Sequence, residues 1–273
     1  MPSSEIIKEK PPSELKLWFR PLYRIASFFI LINVLVLPML SGQELQQNYN
    51  RNAYRYERYL AYGLTFQTND DLGIEFRYAR IREADKVQIF QFNAHSLQHP
   101  QEIRYINPSI PGSSPYKFGK LNFALVNTFT YGGQKIIAEK NDLNQVKVNW
   151  NYMGGLNLTF LKPIYLQIYQ SSGDSQQRYT VERYDPDIHN QQQENFYGTA
   201  PFTKGLDELS TAFGLAGRSG ISFYWGQYDD HYYGLEAGGE LLAYPDKLEI
   251  LANDNNRQLF INLFLSLKLI FQS

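Results

Sequence analysis

The last seventeen residues of the chain, RQLFINLFLSLKLIFQS (257–273), restrict its fold more than any other stretch. Leu259, Ile261, Leu263, Leu265, Leu267, Leu269 and Phe271 are apolar and two apart, and a mixed set of Phe260, Asn262, Phe264, Ser266, Lys268, Ile270 and Gln272 lies between them. A period of two sends the sets to opposite faces of a strand. A helix would wrap Asn262, Ser266 and Lys268 around the leucines with no clean polar stripe, so the stretch reads as a two-faced strand rather than a membrane helix.

The pattern recurs. VKVNWNYMGGLNLTF (146–160) sets Val148, Trp150, Tyr152, Leu156, Leu158 and Phe160 against Lys147, Asn149, Asn151, Met153, Asn157 and Thr159. AYGLTF, LGIEFRYARI, KLNFALVNTFTY, FGLAGRSGISFYW and YGLEAGGELLAY alternate likewise, and VQIFQF (87–92) does so least clearly. Eight strands follow, over about 54–68, 72–82, 86–95, 117–139, 145–170, 211–226, 231–244 and 257–271. Turns near 83–85, 140–144 and 227–230 are short, the connections over 96–116, 171–210 and 245–256 are long, and 69–71 is short in a loop's place. An even strand count with short turns alternating with long loops is the layout of an antiparallel transmembrane β-barrel, with both ends of the mature chain on the short-turn side. The fifth strand exceeds the roughly 9–11 tilted residues that cross a bilayer. It also contains Pro163, which removes a ladder hydrogen bond. Either it runs past the membrane with a bulge, or FLKPI turns and the barrel has ten strands.

The N-terminus supports export. Lys8, Lys10, Lys16, Arg20 and Arg24 precede the apolar ASFFILINVLVLPML (26–40), and SGQ follows, in the order of a secretory signal. The domain reading is a signal peptide over 1–42, a periplasmic segment over 43–53 and the barrel over 54–273. The chain has no cysteine, which excludes disulfides, thiolate zinc sites and cysteine nucleophiles. With 26 basic against 27 acidic residues it lacks the excess that a nucleic-acid binder carries. A soluble sandwich or lipocalin-like barrel is the competing all-β class. The second faces of the strands favour the membrane, being filled by Gly, Asn, Ser and Thr with isolated charges where a wetted surface carries more charge. The 21 tyrosines suit interface girdles.

YKFGKLNFALVNTFTYGGQKIIAEK, YMGGLNLTFLKPIYLQI, FTKGLDEL and the terminal FINLFLSLKLIF resemble a group of uncharacterised outer-membrane β-barrel proteins of the Bacteroidota type, over roughly residues 60–271. The resemblance implies an outer-membrane location and carries over no activity or catalytic residue. It also implies that the barrel assembly machinery reads the last strand, although Gln272 and Ser273 follow the terminal aromatic Phe271.

On these registers Glu75, Arg77, Lys120, Lys147, Arg218, Glu236, Glu240 and Lys268 point into the lumen. An eight-stranded barrel is only wide enough for side chains to fill, so charges there must pair. The expectation is a plugged polar interior and a structural or partner-binding role in the cell envelope, as a possible subunit of a larger complex. The surroundings are outer-membrane lipid and lipopolysaccharide. A narrow solute conduit is one alternative; a lipid hydrolase or acyltransferase built on His95, Ser96 and His99 is another. Adjacent His95 and Ser96 point to opposite sides of a strand, and no acid is indicated beside the histidines for catalysis or a metal. The Gln-rich loop over 171–203 offers Tyr179, Tyr184, Phe196 and Tyr197 as candidate anchors for a partner or a glycan, and KGLDELS (204–210) a short helical turn. No cofactor fingerprint is present, and neither a cofactor nor a metal is expected.

Overall fold

The computed structural model describes residues 58–68, 72–83, 86–138, 146–170, 178–189, 195–226, 231–252 and 255–272. The expected signal peptide and periplasmic segment lie outside the described residues. Among the described residues thirteen strands occur: β1 (Arg58–Gln67), β2 (Gly73–Glu83), β3 (Lys86–Leu97), β4 (Arg104–Tyr105), β5 (Tyr116–Lys117), β6 (Asn122–Ala138), β7 (Lys147–Pro163), β8 (Tyr165–Gln170), β9 (Arg178–Arg183), β10 (Phe196–Thr199), β11 (Ser210–Trp225), β12 (His231–Ala243) and β13 (Leu259–Gln272). One helical turn, α1, spans Pro186–His189.

Eight of the strands close into an antiparallel barrel in the order β1-β13-β12-β11-β7-β6-β3-β2. The last strand closes it against the first, with Gly63 opposite Lys268, Thr65 opposite Ser266 and Leu64 opposite Leu267. The ten-stranded alternative is overturned. The barrel ladder of β7 ends at Pro163, paired with Asn122, and the chain then starts β8 in a separate sheet of order β10-β8-β9. The long fifth segment is therefore two strands in two sheets, cut at the residue that cannot donate to a ladder. The fourth barrel strand begins at Asn122 rather than near 117, and KGLDELS supplies a 3-10 turn at Leu206–Glu208.

Polarity is inverted relative to a soluble barrel. In β13 the Leu259, Ile261, Leu263 and Phe271 side chains are exposed, while Phe260, Asn262, Phe264, Ser266, Lys268 and Ile270 are buried. The outward faces of the other strands present Tyr62, Ile74, Phe90, Phe129, Tyr152, Leu156, Phe213, Leu215 and Ile221 in the same way. An apolar belt around a closed wall with no free sheet edge is the surface that spans a membrane. VQIFQF, the weakest alternation in the sequence, is fully regular in β3. Its inward set is Val87, Ile89 and Gln91 and its outward set Gln88, Phe90 and Phe92, so each face mixes apolar and polar residues.

Strand contact is close enough that some inward positions admit only glycine. A Cβ on Gly238 would sit 2.1 Å from the Ser219 carbonyl oxygen, and one on Gly155 2.0 Å from that of Phe129. Outward, Gly154, Gly217 and Gly239 leave a shallow depression in the apolar wall, rimmed by Trp150, Tyr152 and Ile261. A Cβ on Gly217 would meet nothing within 4 Å. Gly238→Ala is therefore expected to abolish the folded, heat-modifiable band on gels of refolded protein, and Gly217→Ala to leave it intact. Equal behaviour of the two variants would contradict this packing.

Candidate functional site: a charged lumen under a folded cap

Inward residues stack in three layers. At the short-turn end Tyr59, Ala61, Ala79, Val87, Ile89, Met153, Tyr224 and Ile270 form an apolar cluster. At the long-loop end Leu97, Ala124, Val126, Leu161, Ala216, Leu242 and Phe260 form another, completed by Tyr244, Leu248, Ile250 and Leu251 from the connection between β12 and β13. Between them lie the charges.

This middle layer brings together six of the eight inward charges read from the sequence: Glu75, Arg77, Arg218, Glu236, Glu240 and Lys268, each at most 4% exposed. Three carboxylates meet three cations, so the layer is neutral with His95 uncharged. Arg77 Nη2 donates to Glu236 Oε2 at 2.8 Å and lies 3.5 Å from Glu75 Oε1. Arg218 Nη2 reaches Glu75 Oε2 at 3.0 Å, and its Nη1 lies 3.7 Å from Glu240 Oε1. Lys268 bridges Glu75 and Glu236. Neutral groups add hydrogen bonds to the layer. Asn151 and Ser222 donate to Glu236 Oε2 at 2.9 and 3.0 Å. Ser266 donates to Glu75 Oε2 at 3.0 Å, and Gln67 to Glu240 Oε2 at 3.0 Å. Arg77 Nε donates to Gln91 Oε1 at 2.7 Å, and the Arg218 guanidinium lies 3.4 Å from the centre of the Phe264 ring. Charge-assisted bonds of this kind are stronger than neutral ones, and a cation over an aromatic face adds to them.

Two of the eight lie elsewhere. Lys120 is not a lumen residue: it precedes β6, forms a bridge with Leu251, and binds Glu102 at 2.8 Å above the barrel. Lys147 is half-buried at the first position of β7, at the short-turn mouth, away from the six. Sequence reasoning found the charges and missed the neutral residues that satisfy them, because inward Asn, Gln and Ser resemble any polar face. The inward parity of each strand was the signal available.

The long connections fold together into a cap. Tyr116, Leu166, Ile168, Tyr184 and Phe196 share a core, flanked by Phe118, Leu121, Ile164 and Ala252. Leu121 N donates to Ile250 O at 2.9 Å and Ser114 N to Tyr197 O at 2.8 Å, tying all three connections together. This corrects the expected anchors. Tyr184 and Phe196, at 5% and 0% exposure, are core of the cap and unavailable to a partner, and Tyr179 and Tyr197 are half-buried against each other with ring centroids 4.3 Å apart. The expected Gln-rich loop holds two strands, β9 and β10, which pair with β8. In the cap, burial would raise the Glu102 carboxyl, but Lys120 and Lys117 outweigh it and hold the group below its ordinary 4.5. Burial brings the Lys120 ammonium down to about 8 against the pull of Glu102.

The candidate catalytic residues are not assembled. His95 is buried in the lumen with Nε2 3.6 Å from Glu240 Oε2, and Ser96 follows on the outward face of β3. His99 lies beneath the cap, its Nε2 3.2 Å from the Asn255 carbonyl oxygen.

No family model matches the chain, and no curated protein matches it. Among solved structures it is similar to Ail, the attachment invasion locus protein of Yersinia pestis, crystallised with the heparin analogue sucrose octasulfate (11% identity, TM-score 0.36, covering 79% of this chain and 96% of that one). It is also similar to Neisserial surface protein A (10%, 0.36, 79% and 94%) and to the N-terminal β-barrel domain of Pseudomonas aeruginosa OprF (5%, 0.33, 79% and 96%).

Two outcomes follow from this geometry. Glu236→Ala leaves Arg77 and Lys268 to share Glu75, one charge in excess, and should cost about 3–5 kcal/mol in urea unfolding of the vesicle-inserted barrel. Glu236→Gln combined with Lys268→Met, which removes one charge of each sign, should cost less than the sum of the two single changes. Strict additivity would refute the coupling. In the cap, a depressed carboxyl contributes stability above its unfolded value that is lost as pH falls through the folded one. Acidification below 4.5 should therefore open residues 98–121 to pepsin while the barrel stays folded. Glu102→Gln should open the same segment to a neutral protease at pH 7; a cap equally resistant in both tests would contradict the assignment.

Proposed function

We propose that the protein is an outer-membrane β-barrel with a sealed lumen, acting in the envelope as a structural or partner-binding element through its cap. The observation that carries this reading is the three-layered interior. Six charged side chains, each at most 4% exposed, neutralise one another between two apolar clusters, which leaves no wetted path for a solute. The apolar exterior supports the membrane location. In the proposed orientation the short turns and both ends of the barrel face the periplasm, the cap faces out of the cell, and lipid and lipopolysaccharide surround the belt. Insertion by the barrel assembly machinery, the 1–42 signal peptide, the 43–53 periplasmic segment and the Bacteroidota-type affiliation belong to the same proposal, on the residues quoted above.

Partner binding draws support from apolar side chains that the cap leaves exposed although its own core is filled: Ile103, Tyr105, Ile106, Val181 and Ile188. Scattered apolar residues are ordinary on a surface, but Tyr105 lies in one two-residue strand and Ile103 and Ile106 flank it. Reconstituted in planar bilayers, the purified protein is expected to give no conductance steps, and a reproducible channel would overturn the sealed lumen. Crosslinking on intact cells should capture recurrent partners that Ile106→Asp and Ile188→Asp abolish without changing heat-modifiable mobility. Partners that survive both changes would move the contact away from this face.

A further inference from the structure

We propose that the wall at Lys162, on the long-loop rim of the barrel, binds the phosphate of a lipid A-type glycolipid. Lys162 shares the outward parity of β7 with Trp150, Tyr152, Leu156 and Phe160 and follows them on the long-loop side. From Trp150 to Phe160 the strand runs about 33 Å at roughly 3.3 Å per residue. A tilt of about 40° reduces this to about 25 Å, the height of the apolar band of such a barrel. Lys162 is the next outward residue, so it lies at the depth of lipid headgroups.

Its ammonium has no counter-ion among the described residues. Lys162 is 6% exposed. Its Nζ donates to the Lys204 carbonyl oxygen at 3.0 Å and to that of Pro163 at 3.4 Å, and lies 4.9 Å from the centre of the Phe202 ring. These neutral groups hold the ammonium without cancelling its charge. The other buried lysines and arginines among the described residues, Arg77, Lys120, Arg218 and Lys268, each form a salt bridge with a carboxylate. Of the two acids that follow Lys204 in the chain, Glu208 is taken by Arg183 at 3.1 Å and by the Tyr165 hydroxyl, and Asp207 forms no salt bridge with Lys162. Lysine is seldom buried unpaired, because an uncompensated charge is costly. An anion from outside the chain removes the imbalance.

The surroundings select that anion. Phe202 covers the ammonium while 61% exposed, and its ring meets edge-on that of Phe123, the register partner of Lys162 on β6. Pro201, Phe202, Thr203 and Lys204 are all exposed, so the cover is a single layer of chain, and Lys204 brings a second cation to it. Toward the middle of the belt, Phe160, its register partner Leu125 and the exposed Phe213 present an apolar face. A phosphate at headgroup depth with acyl chains beneath it meets both parts of this surface, whereas a free anion meets only the first. The outer leaflet of an outer membrane offers such a ligand in lipid A. That Lys162 faces this leaflet rests on the orientation proposed above. The pairing of phosphate with acyl chains does not, and a measurement in detergent reads it alone.

The test uses the full chain folded in a phosphate-free detergent and measures by native mass spectrometry the binding of lipid A and of enzymatically dephosphorylated lipid A. The wild-type barrel is expected to bind the phosphorylated form about tenfold more tightly, as fits one charge-assisted hydrogen bond. Lys162→Met should erase the preference and Lys162→Arg should keep it, with heat-modifiable mobility unchanged. Lys135→Met, at the outward lysine paired with Trp150 on the other edge of the belt, should leave it intact. Equal binding of the two lipids by the wild type, which needs no variant to fold, or a preference that survives Lys162→Met, would overturn the proposal. Displacement of lipid A by millimolar inorganic phosphate would overturn the choice of a lipid. A cap protected from protease on intact cells would overturn the orientation, and with it the choice of lipid A, while a phosphate preference in detergent would stand.

Discussion

Everything in this molecule depends on one electrostatic constraint: along the band where the wall faces lipid, its charge is turned inward. The outward positions of that band are mostly Leu, Ile, Phe, Tyr and Gly, with outward Arg80 and Lys135 near the short-turn end, so Glu75, Arg77, Arg218, Glu236, Glu240 and Lys268 share a space only a few side chains wide. The Born cost of an isolated ion in such a medium is far beyond what a fold can absorb. The solution is three acids against three bases, with Gln67, Gln91, Asn151, Ser222 and Ser266 adding hydrogen bonds to the carboxylates and to Arg77. Removing any one charge is therefore a different perturbation from removing a pair, because the first leaves an ion with no counterpart.

The apolar clusters above and below the charges serve the same constraint. Apolar surroundings on both sides strengthen each ion pair while making any unpaired member more costly. The cluster at the long-loop end cannot be made from barrel strands alone. Leu248, Ile250 and Leu251 descend from the connection between β12 and β13 to complete it, and the same segment is bonded to Leu121 and Gly119 beneath the cap. The segment 248–251 thus joins the upper lumen cluster to the cap, and the connections carry secondary structure and a core of their own.

Much of this was legible in the residue order and some was not, for definite reasons. Period two is a local property, and Leu259 to Phe271 display it without tertiary help; hence the strand count, the closure by β13 and the parity of Glu236, Glu240 and Lys268 could be read directly. Lys120 was misplaced because alternation continues through KLNF into β6, and nothing local marks the point at which the chain leaves the wall. Pro163 did mark such a point, yet proline is compatible both with a bulge and with the strand end that it proves to be. The cap was least legible. Its core draws Tyr116, Leu166, Tyr184 and Phe196 from distant segments, and composition alone gives a Gln-rich stretch no reason to fold.

The inward glycines complete the electrostatic argument, because charge neutrality is useless unless the groups can reach one another. A barrel of eight strands has a fixed bore, and long side chains from every wall would collide in it. Gly238 has no side chain where the Phe264 ring edge lies 2.9 Å from its absent Cβ, and that ring is the one on which Arg218 rests. Gly63 leaves space where Ser266 Oγ and Glu75 Cβ lie 3.2 and 3.3 Å from the same construction, beside the bridge from Lys268. Gly234 does this for Tyr224, whose ring carbons come within 2.7 Å and whose hydroxyl accepts from Arg77 and Gln134. Small residues on one strand thus set the reach of large ones on the next, at the density that protein interiors require. The glycines and the charges of the lumen are a single design, and neither set would be stable in this bore without the other.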